Sequence, residues 1–383
     1  MDTPTTSRRR LLQFGAAALP LAALGSAVPA VANAATSASA ATLRMPAETD
    51  RHVRTFMAWP ALSSVWGSQL AGVRRDIARV ADAISRYEPV VVLARPSQAA
   101  DARYYCGAGA YYGIEVLDIP NDDLWIRDFG PTFVVAPGAL AGVDTHFNGW
   151  GNKQTHANDA VAAATLLGQY GVPRVQAGFV GEGGSLETDG QGTLLATVSS
   201  LVNSNRNPGM SQDQVEQAMK SALGIDKVIW VPGLAGQDIT DCHIDCLARF
   251  IAPGKVMLDQ PGPRTDAKWV AVYNETKKIL QSSTDAQGRP LTITELPGPD
   301  RKETRVGTAN SSFLSSYTNY FTANGAVFVP QFGDAVADGT AYAILQAAYP
   351  GRNVIQLDID KIAGGGGGIH CATQSQPVVP PAV

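Results

Sequence analysis

A cysteine near the end of the chain has the sequence context of a nucleophile. Cys371 follows five consecutive glycines, residues 364–368, and the dipeptide Ile369-His370. Glycine allows turns and close approaches of the main chain that a side chain would prevent, and a thiolate is a strong nucleophile. The pattern predicts a backbone that passes close to a substrate beside a reactive thiol. A buried cysteine next to a flexible tail is the alternative interpretation.

An imidazole and a carboxylate lie close together in the segment TDCHIDC, residues 240–246. We expect residues 240–250 to form a strand, which would place His243 and Asp245 on one face. The opposite face would then carry Cys242, Ile244 and Cys246. Histidine titrates near neutral pH, so this arrangement is typical of an acid/base pair. A purely structural histidine remains the alternative.

A third polar segment, DDLWIRDFGP, covers residues 122–131. If the chain is extended here, Asp123, Trp125 and Arg127 share a face. A carboxylate beside an aromatic plane is suited to a planar cation such as guanidinium. An aspartate–arginine pair that fixes a turn is the competing interpretation.

Two glycine-rich or asparagine-rich loops offer further site residues. They are EGGSLETDG, residues 182–190, and NSNRNP, residues 203–208. Loops of this kind often carry functional side chains on a rigid scaffold, although Asp189-Gly190 is also an ordinary hairpin signal. The glycine run before Cys371 lacks the ending of a phosphate-binding loop.

Together these segments supply a thiol nucleophile, a histidine acid/base and at least two carboxylates. A cysteine protease would not need the carboxylates. An enzyme that attacks an electrophilic carbon inside a cation would need the thiol, the histidine and the carboxylates. Guanidinium is such a cation. A zinc site built from His243, Asp245 and Cys371 is a further alternative, but no HxxxH or CxxC pattern supports it.

Short apolar runs bounded by Gly, Pro or Asp predict buried strands. The five runs are residues 90–93, 133–136, 193–196, 256–258 and 326–329. Helical patterns between them cover residues 73–87, 159–170, 211–223, 268–280 and 339–349. Five copies of a strand-and-helix unit favour a radially repeated α/β architecture in one domain, residues 44–383. A doubly wound parallel sheet is the alternative fold.

The N-terminus differs from the rest of the chain. Arg8, Arg9 and Arg10 precede an apolar segment that ends at Ala32-Asn33-Ala34. This order predicts a twin-arginine signal peptide, residues 1–34. The protein would then be a bacterial exported protein that is secreted, periplasmic or in the cell envelope. Residues 35–43 read as a flexible spacer.

The composition limits the class of partner. The full sequence of 383 residues is 45% hydrophobic with a net charge of -4, which argues against a nucleic-acid partner and against stable membrane insertion. Four residues of strand would separate Cys242 from Cys246 by about 13 Å, so we expect both thiols to be free and buried. Cys106 has no obvious partner for a disulfide.

The motifs resemble those of the agmatine deiminase and bacterial peptidylarginine deiminase family of guanidine-modifying enzymes. The similar segments, in chain order, are MPAE (45–48), MAWP (57–60), DLWIRDFGP (123–131), HFNGWG (146–151), EGGS (182–185), NSNRNP (203–208), TDCHID (240–245), YTNYFTAN (317–324), VPQFG (329–333) and GGGIHC (366–371). The resemblance implies a five-bladed, pseudo-fivefold α/β propeller of the pentein type. Cys242 and the export signal depart from the pattern of a family linked to intracellular polyamine synthesis.

The resemblance also implies a mechanism. Cys371 would attack the guanidinium carbon, Asp123 and Asp245 would bind its nitrogens, and His243 would protonate departing ammonia and then activate water. The thiouronium intermediate needs no metal and no cofactor. Further candidates for substrate binding are Trp125, Arg127, Glu182 and Gly368, and Trp59, Trp66 and Trp150 are either pocket walls or core residues.

The expected partner is a small cationic guanidino compound. Agmatine, converted to N-carbamoylputrescine and ammonia, is favoured, and an exported peptidylarginine deiminase that makes citrulline is the alternative. A catalytically silent binding protein would not need Cys371. The sequence leaves homo-oligomerisation open.

Overall fold

The computed structural model describes residues 43–382. The predicted signal peptide, residues 1–34, and nearly all of the predicted spacer lie outside the described residues. The strands are β1 His52–Ala58, β2 Val90–Leu93, β3 Ile114–Leu117, β4 Thr132–Ala136, β5 Ala139–Asp144, β6 Arg174–Gln176, β7 Glu187–Thr188, β8 Thr193–Thr197, β9 Lys227–Val231, β10 Ala248–Ala252, β11 Lys255–Gln260, β12 Thr292–Pro297, β13 Phe321–Ala323, β14 Ala326–Pro330, β15 Asn353–Leu357 and β16 Gln374–Pro377.

Helices connect these strands and vary from one turn to four turns in length. They are α1 Ser63–Trp66, α2 Leu70–Ile84, α3 Ala99–Cys106, α4 Ile126–Phe129, α5 Gly149–Asn152, α6 Asp159–Gln169, α7 Val198–Leu201, α8 Gln212–Leu223, α9 Ala267–Ser282, α10 Ala335–Ala348 and α11 Asp360–Ala363. Within the described residues, no helix is both long and apolar enough to cross a membrane.

The strands form five small sheets that share one pairing pattern. Four sheets have three strands each, in the orders β4-β5-β6, β7-β8-β9, β10-β11-β12 and β13-β14-β15. In each of them the first pair is antiparallel and the second pair is parallel. A parallel pair needs a crossover, and a helix supplies it in every unit. The repeated α/β architecture predicted from the sequence is therefore confirmed, and the doubly wound sheet is wrong.

The fifth sheet joins the two ends of the described chain. Its order is β16-β1-β2-β3, and β16 pairs antiparallel with β1, so that Phe56 faces Gln374. The last strand thus supplies the antiparallel partner that the other units take from the preceding strand. Cys371 lies three residues before β16 and is therefore fixed by the closure of the fold.

Most predicted elements are present with small shifts in their ends. Residues 90–93, 193–196, 256–258 and 326–329 all lie in inner strands, where burial on both faces favours a continuous apolar run. Residues 133–136 belong instead to the edge strand β4. The five predicted helical segments correspond to α2, α6, α8, α9 and α10. Ser211 forms a capping box with Gln214 at the start of α8, and Gly224 ends that helix in a left-handed conformation.

Two predicted extended segments are wrong. Residues 240–250 do not form one strand, because Asp241 and Cys242 have φ values of 61° and 70°, and a short 3-10 turn, Ile244–Cys246, follows them before β10 begins. Residues 122–131 contain α4 instead of a strand. All four cysteines are free, as expected for Cys242 and Cys246, although Cys246 is only half-buried.

Candidate active site

The loop that carries Cys371 is fixed by backbone contacts from two directions. The main-chain nitrogen of Cys371 donates to Asn319 Oδ1 at 3.2 Å, and its carbonyl accepts from the nitrogen of Arg127 at 3.2 Å. The side chain of Cys371 is buried, with 6% of the residue exposed. The thiol is therefore held in one place in an environment that excludes most water.

The glycine run allows two indole rings to lie against the main chain. A Cβ atom on Gly365 would lie 2.2 Å from Trp66 Cη2, and one on Gly367 would lie 2.2 Å from Trp125 Cζ3. These close approaches are made by tryptophan rings of the protein, and the predicted approach of the main chain to a substrate stays a prediction. Both rings line a cavity of about 500 Å³ whose wall also includes Asp123 and Gln154.

Asp245 links the thiol to a histidine. Its Oδ2 atom lies 3.4 Å from Cys371 Sγ and 2.7 Å from His370 Nδ1, and it accepts from Asn319 Nδ2 at 3.1 Å. Burial would raise the pKa of Asp245, but the hydrogen bond and charge of His370, together with His243 and Arg249, hold that pKa well below its usual range. Asp245 is therefore a fully buried carboxylate that stays ionised.

His243 lies between two other carboxylates. Its Nε2 atom is 3.2 Å from Glu182 Oε2, and its Nδ1 atom is 3.6 Å from Asp128 Oδ1. Burial alone would lower the pKa of His243, yet the charges of Asp128 and Glu182 raise this pKa to about 9. The imidazole is therefore protonated at neutral pH. Nδ1 is buried and has no hydrogen-bond partner among the described residues, so its proton is available to another group.

The two carboxylates around His243 differ in their own partners. Glu182 is also bound by Arg206 Nε at 2.9 Å, and the pKa of Glu182 is lowered because His243 and Arg206 together outweigh burial. Burial raises the pKa of Asp128 to about 6, and the charges of Asp245 and Glu182 act in the same direction against that of His243. Asp128 thus carries a negative charge that no arginine within residues 43–382 neutralises directly.

A strained turn holds Asp128 in position. Trp150 Nε1 donates to Asp128 Oδ2 at 2.9 Å from a turn, α5, in which Trp150 itself has a φ of 56°. A left-handed conformation costs a non-glycine residue roughly 1–2 kcal/mol. Such strain persists where the surrounding structure compensates for it, and it is concentrated at functional sites.

Asp123 is fixed at the wall of the cavity. Its carboxylate accepts from Trp66 Nε1 at 2.8 Å, from Gln154 Nε2 at 2.7 Å and from the nitrogen of Leu124 at 2.8 Å. Burial raises the pKa of Asp123 against the opposing effect of these donors. Its side chain is thus oriented by neutral donors, which leave its charge uncompensated.

The structure does not place every predicted residue in this cluster. The guanidinium of Arg127 is bound by Glu48 Oε2 at 2.7 Å, by Gln374 Oε1 at 2.9 Å and by the carbonyl of His370 at 3.3 Å. All of its nitrogens are directed at the protein, so the predicted face shared with Asp123 and Trp125 is wrong. Arg127 instead connects the Cys371 loop to β16.

The remaining candidates occupy different surroundings. Gly368 packs under Asn319, where a Cβ atom would lie 2.5 Å from Asn319 Oδ1. Trp66 and Trp125 line the cavity and Trp150 binds Asp128, whereas Trp59 is a fully buried core residue that lies beside Arg74 and Tyr105.

Several residues of the cluster were missed by sequence reasoning. Asp128 and Asn319 lie inside segments that were singled out, and His370 precedes the nucleophile directly. The available signal for Asp128 was its position in a segment with two other carboxylates. Gln154 carries no such signal, because only the fold brings it to Asp123.

Gly184 lies where the cluster converges, which yields a testable prediction. A methyl group there would lie 2.6 Å from His243 Nδ1, 2.7 Å from Asp128 Oδ1 and 3.1 Å from Asp245 Oδ2. Gly184→Ala must displace these groups, and we expect a loss of about 100-fold in kcat/KM, as for misplacement of catalytic groups by about 1 Å. Steady-state kinetics with the guanidino substrate implied by the motifs measures this loss.

Gly178→Ala is the matched control, because its Cβ would meet only Ala218 Cβ at 3.5 Å. Neither glycine has a positive φ, so backbone strain does not distinguish the two variants. Equal activity of both variants would contradict the convergence of the three side chains.

The fold is that of the guanidine-modifying α/β-propeller enzymes, also called penteins. The family model described as Porphyromonas-type peptidyl-arginine deiminase matches residues 44–377, and the chain belongs to this family. The resemblance inferred from the motifs is confirmed.

Named relatives agree with this assignment. The chain is 37% identical to agmatine deiminase of Stutzerimonas stutzeri over 354 residues, which cover 87% of this chain and 95% of the relative. It is 35% identical to agmatine deiminase of Medicago truncatula over 367 residues, or 88% and 96% of the two chains. A structure of agmatine deiminase of Enterococcus faecalis catalysing its reaction superimposes with a TM-score of 0.81 at 30% identity, and the match covers 88% of this chain and 96% of that chain.

Proposed function

We propose that this protein is an agmatine deiminase, which hydrolyses the guanidinium group of agmatine to give N-carbamoylputrescine and ammonia. The relatives named above carry this activity in their names. The observation that supports it most directly is electrostatic. Among the described residues, the buried carboxylates of Asp123, Asp128 and Asp245 form no ion pair with lysine or arginine. Asp128 and Asp245 pair only with histidines, and Asp123 has no ion pair among the described residues. A buried charge without a full partner is costly, and a guanidinium substrate would supply further positive charge.

Substrate binding activates the nucleophile in this proposal. The hydrogen bond with Cys246 lowers the pKa of Cys371, but burial and the charges of Asp245 and Asp128 outweigh it and leave that pKa raised. The free enzyme therefore holds a thiol. A guanidinium bound between Asp123 and Asp245 neutralises the charge of Asp245, so the pKa of Cys371 falls and the thiolate forms next to the electrophilic carbon.

The covalent steps follow from the position of His243. The sulfur of Cys371 bonds to the guanidinium carbon, His243 gives its Nδ1 proton to one nitrogen, and ammonia leaves to form the thiouronium. The neutral imidazole then takes a proton from water, whose oxygen bonds to the same carbon. Cleavage of the carbon–sulfur bond returns Cys371 and releases the ureido product. One water is consumed, and its oxygen ends in the product.

A substrate comparison tests the proposal. Purified protein is incubated separately with agmatine, free arginine and an N-acylated arginine amide, and both ureido product and ammonia are measured. Turnover of agmatine, with little or none of the others, is the expected result. Preference for the acylated amide would move the protein to the peptidylarginine branch, which the name of the family model also describes. No turnover of any substrate would favour a silent binding protein.

The pH dependence of the reaction follows from the two pKa values. The reactive form of the free enzyme needs a Cys371 thiolate and a protonated His243, whereas at pH 7 both groups hold their protons. Because the pKa of His243 is about 9 and the pKa of Cys371 is raised, the free enzyme must lose one proton to reach its reactive form. We expect kcat/KM for agmatine to rise about tenfold per pH unit from pH 6 to pH 8. A flat profile would show that the ion pair already exists in the free enzyme.

We also propose that the protein is exported from a bacterial cell through the twin-arginine pathway. The support is the sequence of residues 1–34, in which Arg8, Arg9 and Arg10 precede an apolar segment. Replacement of all three arginines by lysine is expected to retain the enzyme in the cytoplasm, measured by activity after cell fractionation. Unchanged export would overturn the proposal.

The oligomeric state is a separate question. Light scattering on the purified enzyme determines whether it is a homo-oligomer.

A further inference from the structure

A second thiol lies beside the nucleophile and takes part in no covalent step of the mechanism above. Asn319 Nδ2 donates to Cys246 Sγ at 3.3 Å and to Cys371 Sγ at 3.1 Å. Both thiols also face one carboxylate, because Cys246 Sγ lies 3.4 Å from Asp245 Oδ1 and Cys371 Sγ lies 3.4 Å from Asp245 Oδ2. One ligand atom from each of the three residues lies within 4.8 Å of the other two.

These separations suit a tetrahedral metal ion. Zinc binds thiolate sulfur at about 2.3 Å and carboxylate oxygen at about 2.0–2.2 Å, which places sulfur and oxygen roughly 3.6 Å apart in a tetrahedral site. The observed sulfur–oxygen distances of 3.4 Å are of that size, although they join the two sulfurs to different oxygens of Asp245, so the carboxylate would have to turn for one oxygen to serve both. Thiolate is also the ligand that selects zinc and other soft cations over magnesium or calcium.

We propose that Cys246, Cys371 and Asp245 form a binding site for a thiophilic divalent cation such as Zn²⁺, and that its occupation inhibits the enzyme. The inhibitory part rests on the proposed function, because it requires Cys371 to be the nucleophile. The metal would use the sulfur of Cys371 and the carboxylate of Asp245, so agmatine and the cation compete for the same groups. Water would complete the coordination.

The charge balance favours this exchange. Two thiol protons leave as two sulfur–metal bonds and one oxygen–metal bond form, so one divalent cation replaces two protons and the total charge of the buried cluster is unchanged. Metal affinity should therefore rise with pH, by up to about 100-fold per unit while both thiols are protonated.

Neighbouring donors would support the bound state. His370 Nδ1 lies 2.7 Å from Asp245 Oδ2 and would orient the carboxylate, and the amide of Asn319 would donate to the thiolates. Cys242 offers a matched comparison, because it is four residues from Cys246 but packs in a separate apolar cluster with Ile244 and Leu247.

Equilibrium dialysis of the reduced protein against buffered Zn²⁺ tests the site without using activity. We expect one ion per chain in the unaltered protein and in Cys242→Ala. Cys246→Ala and Cys371→Ala should each bind Zn²⁺ more than about 100-fold more weakly. Loss of a residue that only orients a metal ligand already lowers metal affinity about 10–100-fold. Cd²⁺ should give thiolate charge-transfer absorption in the ultraviolet that Cys246→Ala abolishes. Thermal unfolding without metal checks that each variant is folded.

The kinetic arm uses the same proteins. Zn²⁺ is expected to raise KM for agmatine without changing kcat, to be reversed by a chelator, and to inhibit Cys246→Ala at least tenfold less strongly relative to that variant's own rate. Zinc binding that Cys246→Ala leaves unchanged, or inhibition that is not competitive, would overturn the proposal. If agmatine is not turned over at all, the proposed function fails while the dialysis result still decides whether the metal site exists.

Discussion

Cys371→Ser is expected to abolish agmatine hydrolysis, with kcat reduced about 10⁴-fold or more, as when other enzymes lose their nucleophile. The serine hydroxyl fills nearly the same space, but its proton is far harder to remove beside the ionised Asp245, whose Oδ2 lies 3.4 Å from Cys371 Sγ. The variant should still bind agmatine, because the carboxylates of Asp123 and Asp245 are unaltered. Ammonia release measures turnover, and isothermal titration calorimetry measures binding.

Cys106→Ser is the control for the loss of a buried cysteine. Cys106 lies at the end of α3 and is also free, and burial raises its pKa to about 12. This variant should keep its activity. Acid quenching during turnover should trap the thiouronium as a mass increase on the unaltered protein and on Cys106→Ser. A similar adduct on Cys371→Ser would place the nucleophile elsewhere.

The order of strands and helices along the chain was predictable where the local sequence pattern and the tertiary environment agree. Residues 90–93, 193–196, 256–258 and 326–329 are buried on both faces, so their apolar character follows directly from their inner positions in the sheets. The helices between them carry their own start and stop signals, as at Ser211 and Gly224. These signals depend on near neighbours in sequence and can be read without the fold.

The local structure around His243 could not be predicted, because distant residues determine it. Asp241 adopts a left-handed conformation, and its carboxylate binds Arg206 Nη1 at 2.6 Å and Lys153 Nζ at 2.7 Å. Cys242, the next residue, also has a positive φ, and two left-handed residues in succession interrupt a strand. His243 and Asp245 were expected on one face of a strand, whereas the structure brings them together around Gly184 through a turn.

Arg127 shows the same limitation for a side chain. Its sequence neighbours suggest a cation near a carboxylate face, but its partners Glu48 and Gln374 are 79 and 247 residues away. The choice between a substrate contact and a structural ion pair depends on those partners. Cys246 is similar, since only the fold places its sulfur beside Cys371.

Asp245→Asn is expected to lower kcat/KM for agmatine by about 100- to 1000-fold, the range for loss of one preorganised electrostatic contact. It should also move the pH profile towards neutral pH. The charge of Asp245 raises the pKa of Cys371 and the pKa of His243, so both pKa values fall when that charge is removed. The rising part of the kcat/KM profile should therefore begin at a lower pH than in the unaltered enzyme.

Asp123→Asn separates this effect from simple loss of substrate affinity. Asp123 also carries a buried charge, but the main charges that raise these pKa values belong to other groups: Asp245 and Asp128 for Cys371, and Asp128, Glu182 and Asp245 for His243. We therefore expect a higher KM with the pH optimum unchanged. If both variants shift the profile equally, the two carboxylates act as one charge on the site. If neither shifts it, Asp245 holds the substrate but does not set the protonation of the thiol and the imidazole.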